Sequence, residues 1–143
     1  MKVVIVYSSR YGNGKKCVDC VDARLKAKGH SVQVQNAPSS DPSQIPPADL
    51  YVFSGATEAF GLAKGIKQYL AGLPELSGRK YALINTHGMK KARGLPRMEK
   101  ILSGKNMVKF DEIDFQVGDG TDKGNGLPAG YEAMLARWAD GFG

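Results

Sequence analysis

Runs of apolar residues alternate with amphipathic segments along the whole chain. Residues 3–7 form a continuous run, Val-Val-Ile-Val-Tyr, which is typical of a central strand buried on both faces. Residues 50–53, residues 81–85 and the alternating segment 113–117 predict further strands, and polar alternation over residues 31–35 predicts an edge strand. The pattern therefore predicts five strands in one open sheet.

Helical spacing fills the intervals between most of these strands. Cys17, Val21 and Leu25 recur every four residues within a helix predicted over residues 13–28, which Gly29 ends. Three more helices are predicted by apolar stripes: Leu62, Ile66, Tyr69, Leu70 and Leu73; Leu95, Met98 and Leu102; Tyr131, Met134, Leu135, Trp138 and Phe142. Four prolines within residues 36–47 predict a loop or a single turn. We expect one α/β domain over residues 1–143, with a doubly wound parallel sheet and helices on both faces.

Length and composition agree with one globular core. The chain has 143 residues, of which 42% are hydrophobic and 24% charged. No apolar run reaches the roughly 20 residues that a membrane span needs, and the first run is too short for a signal-peptide core. Together with the use of only 2 cysteines, this predicts a cytoplasmic protein without membrane contact.

The net charge of +6 is concentrated in one part of the chain. Residues 86–109 contain Glu99 as their single acid, and the cations there carry the whole excess: Lys90, Lys91, Arg93, Arg97, Lys100, Lys105 and Lys109. Acids follow at once between Asp111 and Asp122, and no aromatic residues are interleaved with the cations. This arrangement disfavours a nucleic-acid surface and favours a local role for the charge.

Three loops are candidates for a ligand site. Open doubly wound sheets bind ligands beyond the carboxyl ends of their strands, where the winding reverses, and residues 8–14, 54–61 and 86–94 occupy such positions. The first of these loops is rich in hydroxyl groups and glycines and precedes a helix, so it predicts an anion site.

Spacing excludes two familiar nucleotide motifs in this first loop. The dinucleotide fingerprint needs a third glycine where Cys17 stands. A P-loop needs a glycine at the position of Ser9 and a hydroxyl residue at that of Lys16.

Cys17 and Cys20 match C-x-x-C, but Cys17 lies on the apolar stripe of its helix, which favours a buried side chain over a dithiol site. We assign no catalytic and no metal-ligating residue.

Residues 7–13, Tyr-Ser-Ser-Arg-Tyr-Gly-Asn, resemble the FMN-phosphate loop of the flavodoxin family, and residues 53–61 are similar to the family's second flavin loop. The resemblance implies a five-stranded sheet of order 2-1-3-4-5, with FMN at the switch between strands one and three. It implies phosphate contacts from Ser9, Arg10, Tyr11, Gly12, Asn13 and Gly14. It also implies that these residues flank the flavin ring: Ala56, Thr57, Glu58, Ala59, Phe60, Gly61, Thr86, His87 and Gly88.

Two features depart from the family pattern. Gly14 stands where the family usually has threonine, which removes one hydroxyl donor to the phosphate. The third loop is basic, whereas flavodoxins commonly carry acidic or aromatic residues there.

The resemblance implies an FMN-binding electron-transfer protein with a redox partner protein. The basic charge of Lys90, Lys91 and Arg93 is interpreted either as local tuning of the flavin or as a docking site for a partner of acidic surface. Two other functions remain open: a flavin-dependent reductase of a quinone or another anionic acceptor, and a docking or regulatory domain that has lost FMN.

Overall fold

The computed structural model describes residues 1–58 and 61–143. Its strands and α-helices are β1 (Lys2–Tyr7), α1 (Asn13–Ala27), β2 (Ser31–Asn36), β3 (Leu50–Glu58), β4 (Gly61–Leu62), α2 (Lys64–Ala71), β5 (Lys80–His87), α3 (Gly94–Gly104), β6 (Val108–Gln116) and α4 (Tyr131–Asp140). Short 3-10 helices cover Ala37–Ser39, Pro42–Gln44 and Thr121–Lys123. None of the helices within these described ranges is both long and apolar enough to cross a bilayer.

The five long strands form one parallel sheet in the order β2-β1-β3-β5-β6. Numbered among themselves, they follow the expected order 2-1-3-4-5, and the predicted edge strand β2 is at an edge. The two-residue strand β4 pairs antiparallel with the end of β3. The winding reverses between β1 and β3, so the carboxyl ends of these two strands mark the switch point.

Helices cover both faces of the sheet, as the sequence predicts. On one face, Val4 and Val6 pack in a buried cluster with residues of α2 and α3 such as Ile66 and Met98. On the other face, Val3 and Ile5 pack with α1 and α4. Alternate residues of β1 thus enter opposite cores, which is why its sequence is apolar throughout.

Several details of the predicted stripes are wrong. Leu73 and Phe142 are buried but lie beyond the last residues of α2 and α4. Leu62 does not belong to a helix, because residues 61 and 62 pair with β3 before α2 begins. Met134 is 45% exposed, and the buried residues of the last helix are Leu135, which the predicted stripe includes, and Ala139, which it does not. The small side chain of Ala139 concealed the true stripe, because a search for large apolar residues passes over it.

Candidate functional site

An open cleft lies at the carboxyl ends of β1, β3 and β5, with an empty volume of about 510 Å³ that includes its solvent-open part. The three predicted loops meet there. They contribute the lining residues Ser8, Ser9, Arg10, Tyr11, Asn13, Gly14, Ala56, Thr57, Glu58, Thr86, His87 and Gly88.

Not every predicted residue lies on this wall. Gly12 and Gly61 are absent from the lining. Ala59 and Phe60 lie outside the described residues, so their predicted place beside the ring remains a prediction.

The first loop presents backbone donors to the cleft. Ser9 Oγ accepts hydrogen bonds from the backbone N–H groups of Gly12, at 3.1 Å, and Lys15, at 3.3 Å. The N–H groups of Tyr11, Asn13 and Gly14 have no acceptor within residues 1–58 and 61–143. Because these groups lie at the N-terminus of α1, the helix dipole adds positive potential where they converge. A helix N-terminus with such free donors favours a bound anion.

A glycine pair permits the tight approach of the first loop to another segment. Gly12 has φ of 97°, in the left-handed region that glycine adopts without strain. A Cβ at Gly124 would lie 2.7 Å from the carbonyl oxygen of Tyr11, so only glycine fits there as the backbone stands. Gly124 belongs to a fourth loop, residues 117–130, which follows β6.

This fourth loop is a part of the site that sequence reasoning missed. Val117 and Thr121 line the cleft. The buried side chain of Asn13 joins the first loop to the fourth, since Nδ2 donates to the Thr121 carbonyl at 3.1 Å and Oδ1 accepts from Gly126 N–H at 3.0 Å. Four glycines between residues 118 and 126 were the available signal, because they follow a parallel strand at the ligand-binding edge.

The second loop is shorter than the sequence indicates, because β3 continues to Glu58. Its end is held by a hydrogen-bonded group at the base of the cleft. Thr57 Oγ1 donates to Asn85 Oδ1 at 3.0 Å and accepts from the backbone N–H of Gly94 at 2.8 Å. Asn85, which is fully buried, donates through Nδ2 to the Gly55 carbonyl at 2.8 Å. One threonine hydroxyl therefore connects β3, β5 and the start of α3.

The third loop places a buried histidine beside an exposed basic segment. His87 is 4% exposed, and its Nε2 lies 2.6 Å from Asp114 Oδ2. Met89, Lys90 and Lys91 follow it and are exposed. The third loop thus contributes a buried polar side chain to the cleft wall, and exposed cations follow it in sequence.

The two cysteines do not add redox chemistry to this site. Cys17 is buried under the sheet, and burial raises the pKa of its thiol to about 12. The thiol is therefore protonated at neutral pH and behaves as a small apolar side chain. Both cysteines are free.

The fold and cleft define an open, doubly wound α/β protein with its ligand site at the switch point between β1 and β3. A family model described as flavodoxin domain matches residues 4–120. The chain therefore belongs to the flavodoxin family, which supports a flavin-binding electron-transfer role of the flavodoxin type.

Solved structures agree on the fold. The chain is similar to the flavodoxin of Streptococcus pneumoniae TIGR4, with TM-score 0.74, 18% identity and coverage of 98% of this chain and 96% of that one. It is similar to two-electron reduced Megasphaera elsdenii flavodoxin, with TM-score 0.76, 18% identity and coverage of 96% and 97%. Rubredoxin oxygen:oxidoreductase from Desulfovibrio gigas gives TM-score 0.78 and 17% identity, over 97% of this chain and 34% of that one. No curated protein matches the chain.

Proposed function

We propose that this protein binds FMN in the cleft and carries electrons between redox partners. The observation that supports the proposal most is the set of backbone N–H groups at Tyr11, Asn13 and Gly14, which have no acceptor among the described residues and lie next to the Ser9 hydroxyl. A phosphate group needs several such donors on one side, and this is the segment that the family model covers. When bound, FMN supplies one- and two-electron transfer.

Different residues of the chain would contact the phosphate and the ring of FMN. Ser9 Oγ already accepts two N–H bonds, so its O–H remains available to donate to a phosphate oxygen. Ala56, Thr57 and Glu58 would flank the ring on one side, and Thr86, His87 and Gly88 on the other. The bonds of Thr57 and Asn85 keep these two walls at a fixed separation.

The rim of the cleft fits a partner protein of acidic surface. Tyr11 and Met89, which are 43% and 46% exposed, are apolar groups at the mouth. Lys90 and Lys91 extend the rim and form no ion pair with the described residues. An exposed apolar centre with a charged rim is typical of a transient interface, where charge mainly raises the association rate.

Electron transfer to one acceptor in two charge states tests this function. The FMN-loaded, reduced protein is mixed with cytochrome c in its native basic form or with its lysines succinylated, which makes it acidic. We expect faster oxidation by the acidic form at low salt, and loss of the difference at high salt. Lys90→Gln/Lys91→Gln should reduce the preference, whereas Lys26→Gln/Lys28→Gln, at the far end of α1, should keep it.

Two results would contradict the proposal. Equal rates with both cytochromes would contradict a partner of acidic surface but would leave the electron-carrier function standing. Steady NAD(P)H oxidation with a quinone, and no electron transfer to either protein, would identify a flavin-dependent reductase instead.

A further inference from the structure

Both ring nitrogens of the buried histidine in the third loop are engaged by the protein. His87 Nε2 lies 2.6 Å from Asp114 Oδ2, and Nδ1 is hydrogen-bonded to the Met89 carbonyl. Asp114 belongs to β6, where it pairs in register with Asn85, and its side chain is 44% exposed. The histidine is therefore enclosed between its own loop and the neighbouring strand.

Hydrogen-bond accounting determines where the protons lie. A carbonyl oxygen only accepts, so Nδ1 of His87 must carry a proton. An ionised carboxylate also only accepts, so the bond to Asp114 needs a second proton on Nε2. The arrangement is satisfied by an imidazolium ring beside a carboxylate, a charge-assisted pair.

The same pair helps to fasten the third loop to β6. Gln116 Nε2 donates to the Gly88 carbonyl at 3.3 Å, and Val117 N–H donates to the His87 carbonyl at 2.8 Å. Because both of its nitrogens are directed at protein groups, His87 has no free N–H for a ligand in the cleft. It contributes ring surface to the wall.

We propose that Asp114 is a positioning residue that holds His87 as an imidazolium at the wall of the cleft and so fixes the third loop. As far as it concerns the flavin, this inference rests on the proposed function. Other charged groups act on the same region. They are Arg10 of the first loop and Glu58 of β3 on the cleft wall, Lys90 and Lys91 of the third loop, and Asp119 and Asp122 after β6.

Nitrogen NMR of the flavin-free protein tests the proposal. At pH 7.5 an unconstrained histidine is about nine-tenths neutral and carries one ring proton. We expect His87 to show two ring N–H groups at that pH. The chain has only 2 histidines, so a His30→Gln background leaves its signals unambiguous.

Two variants distinguish the hydrogen bond made by the Asp114 carboxylate from the effect of a negative charge on β6 alone. Asp114→Asn keeps the shape but can donate an amide N–H to Nε2, so His87 should lose the Nε2 proton and keep that on Nδ1. Asp111→Asn removes the same charge from the exposed part of β6 and should leave two ring N–H groups. A single ring N–H in the parent protein, or two in Asp114→Asn, would overturn the proposal.

Addition of FMN distinguishes this inference from the proposed function. If FMN binds, the carbon-bound ring protons of His87 should shift, and their failure to shift would overturn the placement at the wall. If FMN does not bind but His87 carries two ring protons, the proposed function fails and the positioning role of Asp114 stands. If FMN binds and His87 carries a single ring proton, the proposed function stands and the positioning role of Asp114 fails.

Discussion

Gly14 occupies the position at which the resemblance to the flavodoxin phosphate loop implies a threonine. A Cβ added there would meet Ser54 Oγ and Ser9 Oγ at 3.6 Å, which is ordinary contact. The position therefore has room for a Cβ, and its neighbours are polar. The missing hydroxyl is a chemical difference and not a consequence of crowding.

Gly14→Thr should tighten FMN binding about tenfold. A hydrogen bond to a charged group contributes roughly 1.5–3 kcal/mol, and about 1.4 kcal/mol corresponds to a factor of ten. Gly14→Ala is the matched control, because it adds the Cβ without the hydroxyl and should change the Kd by less than about threefold. Equal effects of the two substitutions, measured by quenching of FMN fluorescence, would show that the hydroxyl does not reach the phosphate.

Cys17 makes the free energy of unfolding depend on pH in the alkaline range. Its thiol pKa is raised from 9.0 to about 12 in the folded protein, chiefly by burial. The unfolded chain therefore loses the proton first, and this contribution to stability is complete below pH 9 and declines as pH rises towards 12. The free energy of unfolding should fall by about 1.4 kcal/mol per pH unit in this window on account of Cys17.

Urea unfolding between pH 8 and 11 measures that slope in the parent protein and in two variants. Cys17→Ala should show a shallower decline, whereas Cys20→Ala, at a less buried position, should keep most of it. The buried tyrosines titrate in all three proteins, so their share is common background. Identical slopes in Cys17→Ala and the parent protein would contradict the assignment.

At the scale of the elements, the packing of α2 on β3 depends on a glycine in the strand. A Cβ on Gly55 would lie 2.3 Å from Ile66 Cγ2, far inside van der Waals contact. Ile66 is fully buried, so it has little room to move. Gly55 thus lets the helix that follows the second loop lie close to the sheet.

Gly55→Ala should destabilise the fold by about 1–3 kcal/mol through overpacking. Ile66→Ala alone should cost about 2–5 kcal/mol, and the double substitution should cost less than the sum, because each change relieves the other. Gly104→Ala is the control, since no atom lies within 4 Å of an added Cβ there. Additive losses in denaturant unfolding would show that the close contact is not the cause.

The sequence predicts elements that depend on local pattern and misses those that depend on partners far along the chain. The apolar run of β1 and the polar edge strand β2 could be recognised because their burial follows directly from strand position. The bonds of Thr57 to Asn85 and Gly94, and of Asn13 to the fourth loop, could not. They join residues up to 113 positions apart, and no local spacing encodes them.

For the whole molecule, the structure shows which of the basic side chains are paired within the protein. Lys109 pairs with Glu99 and Glu112, and Lys105 Nζ donates to the Ala71 carbonyl at 3.0 Å. These cations, distant in sequence from the cleft, are engaged within the protein. Lys90 and Lys91 are exposed and follow Gly88, which lines the cleft, whereas Arg97 and Lys100 are exposed on α3.

The central claim is that the cleft binds FMN through its phosphate. Titration of the flavin-free protein with FMN and with riboflavin, which lacks the phosphate, tests it most directly. We expect saturable binding of one FMN per chain with quenched fluorescence, and riboflavin binding at least tenfold weaker, because each lost bond to the phosphate contributes roughly 1.5–3 kcal/mol. Equal affinity for both flavins, or binding of neither, would contradict the account.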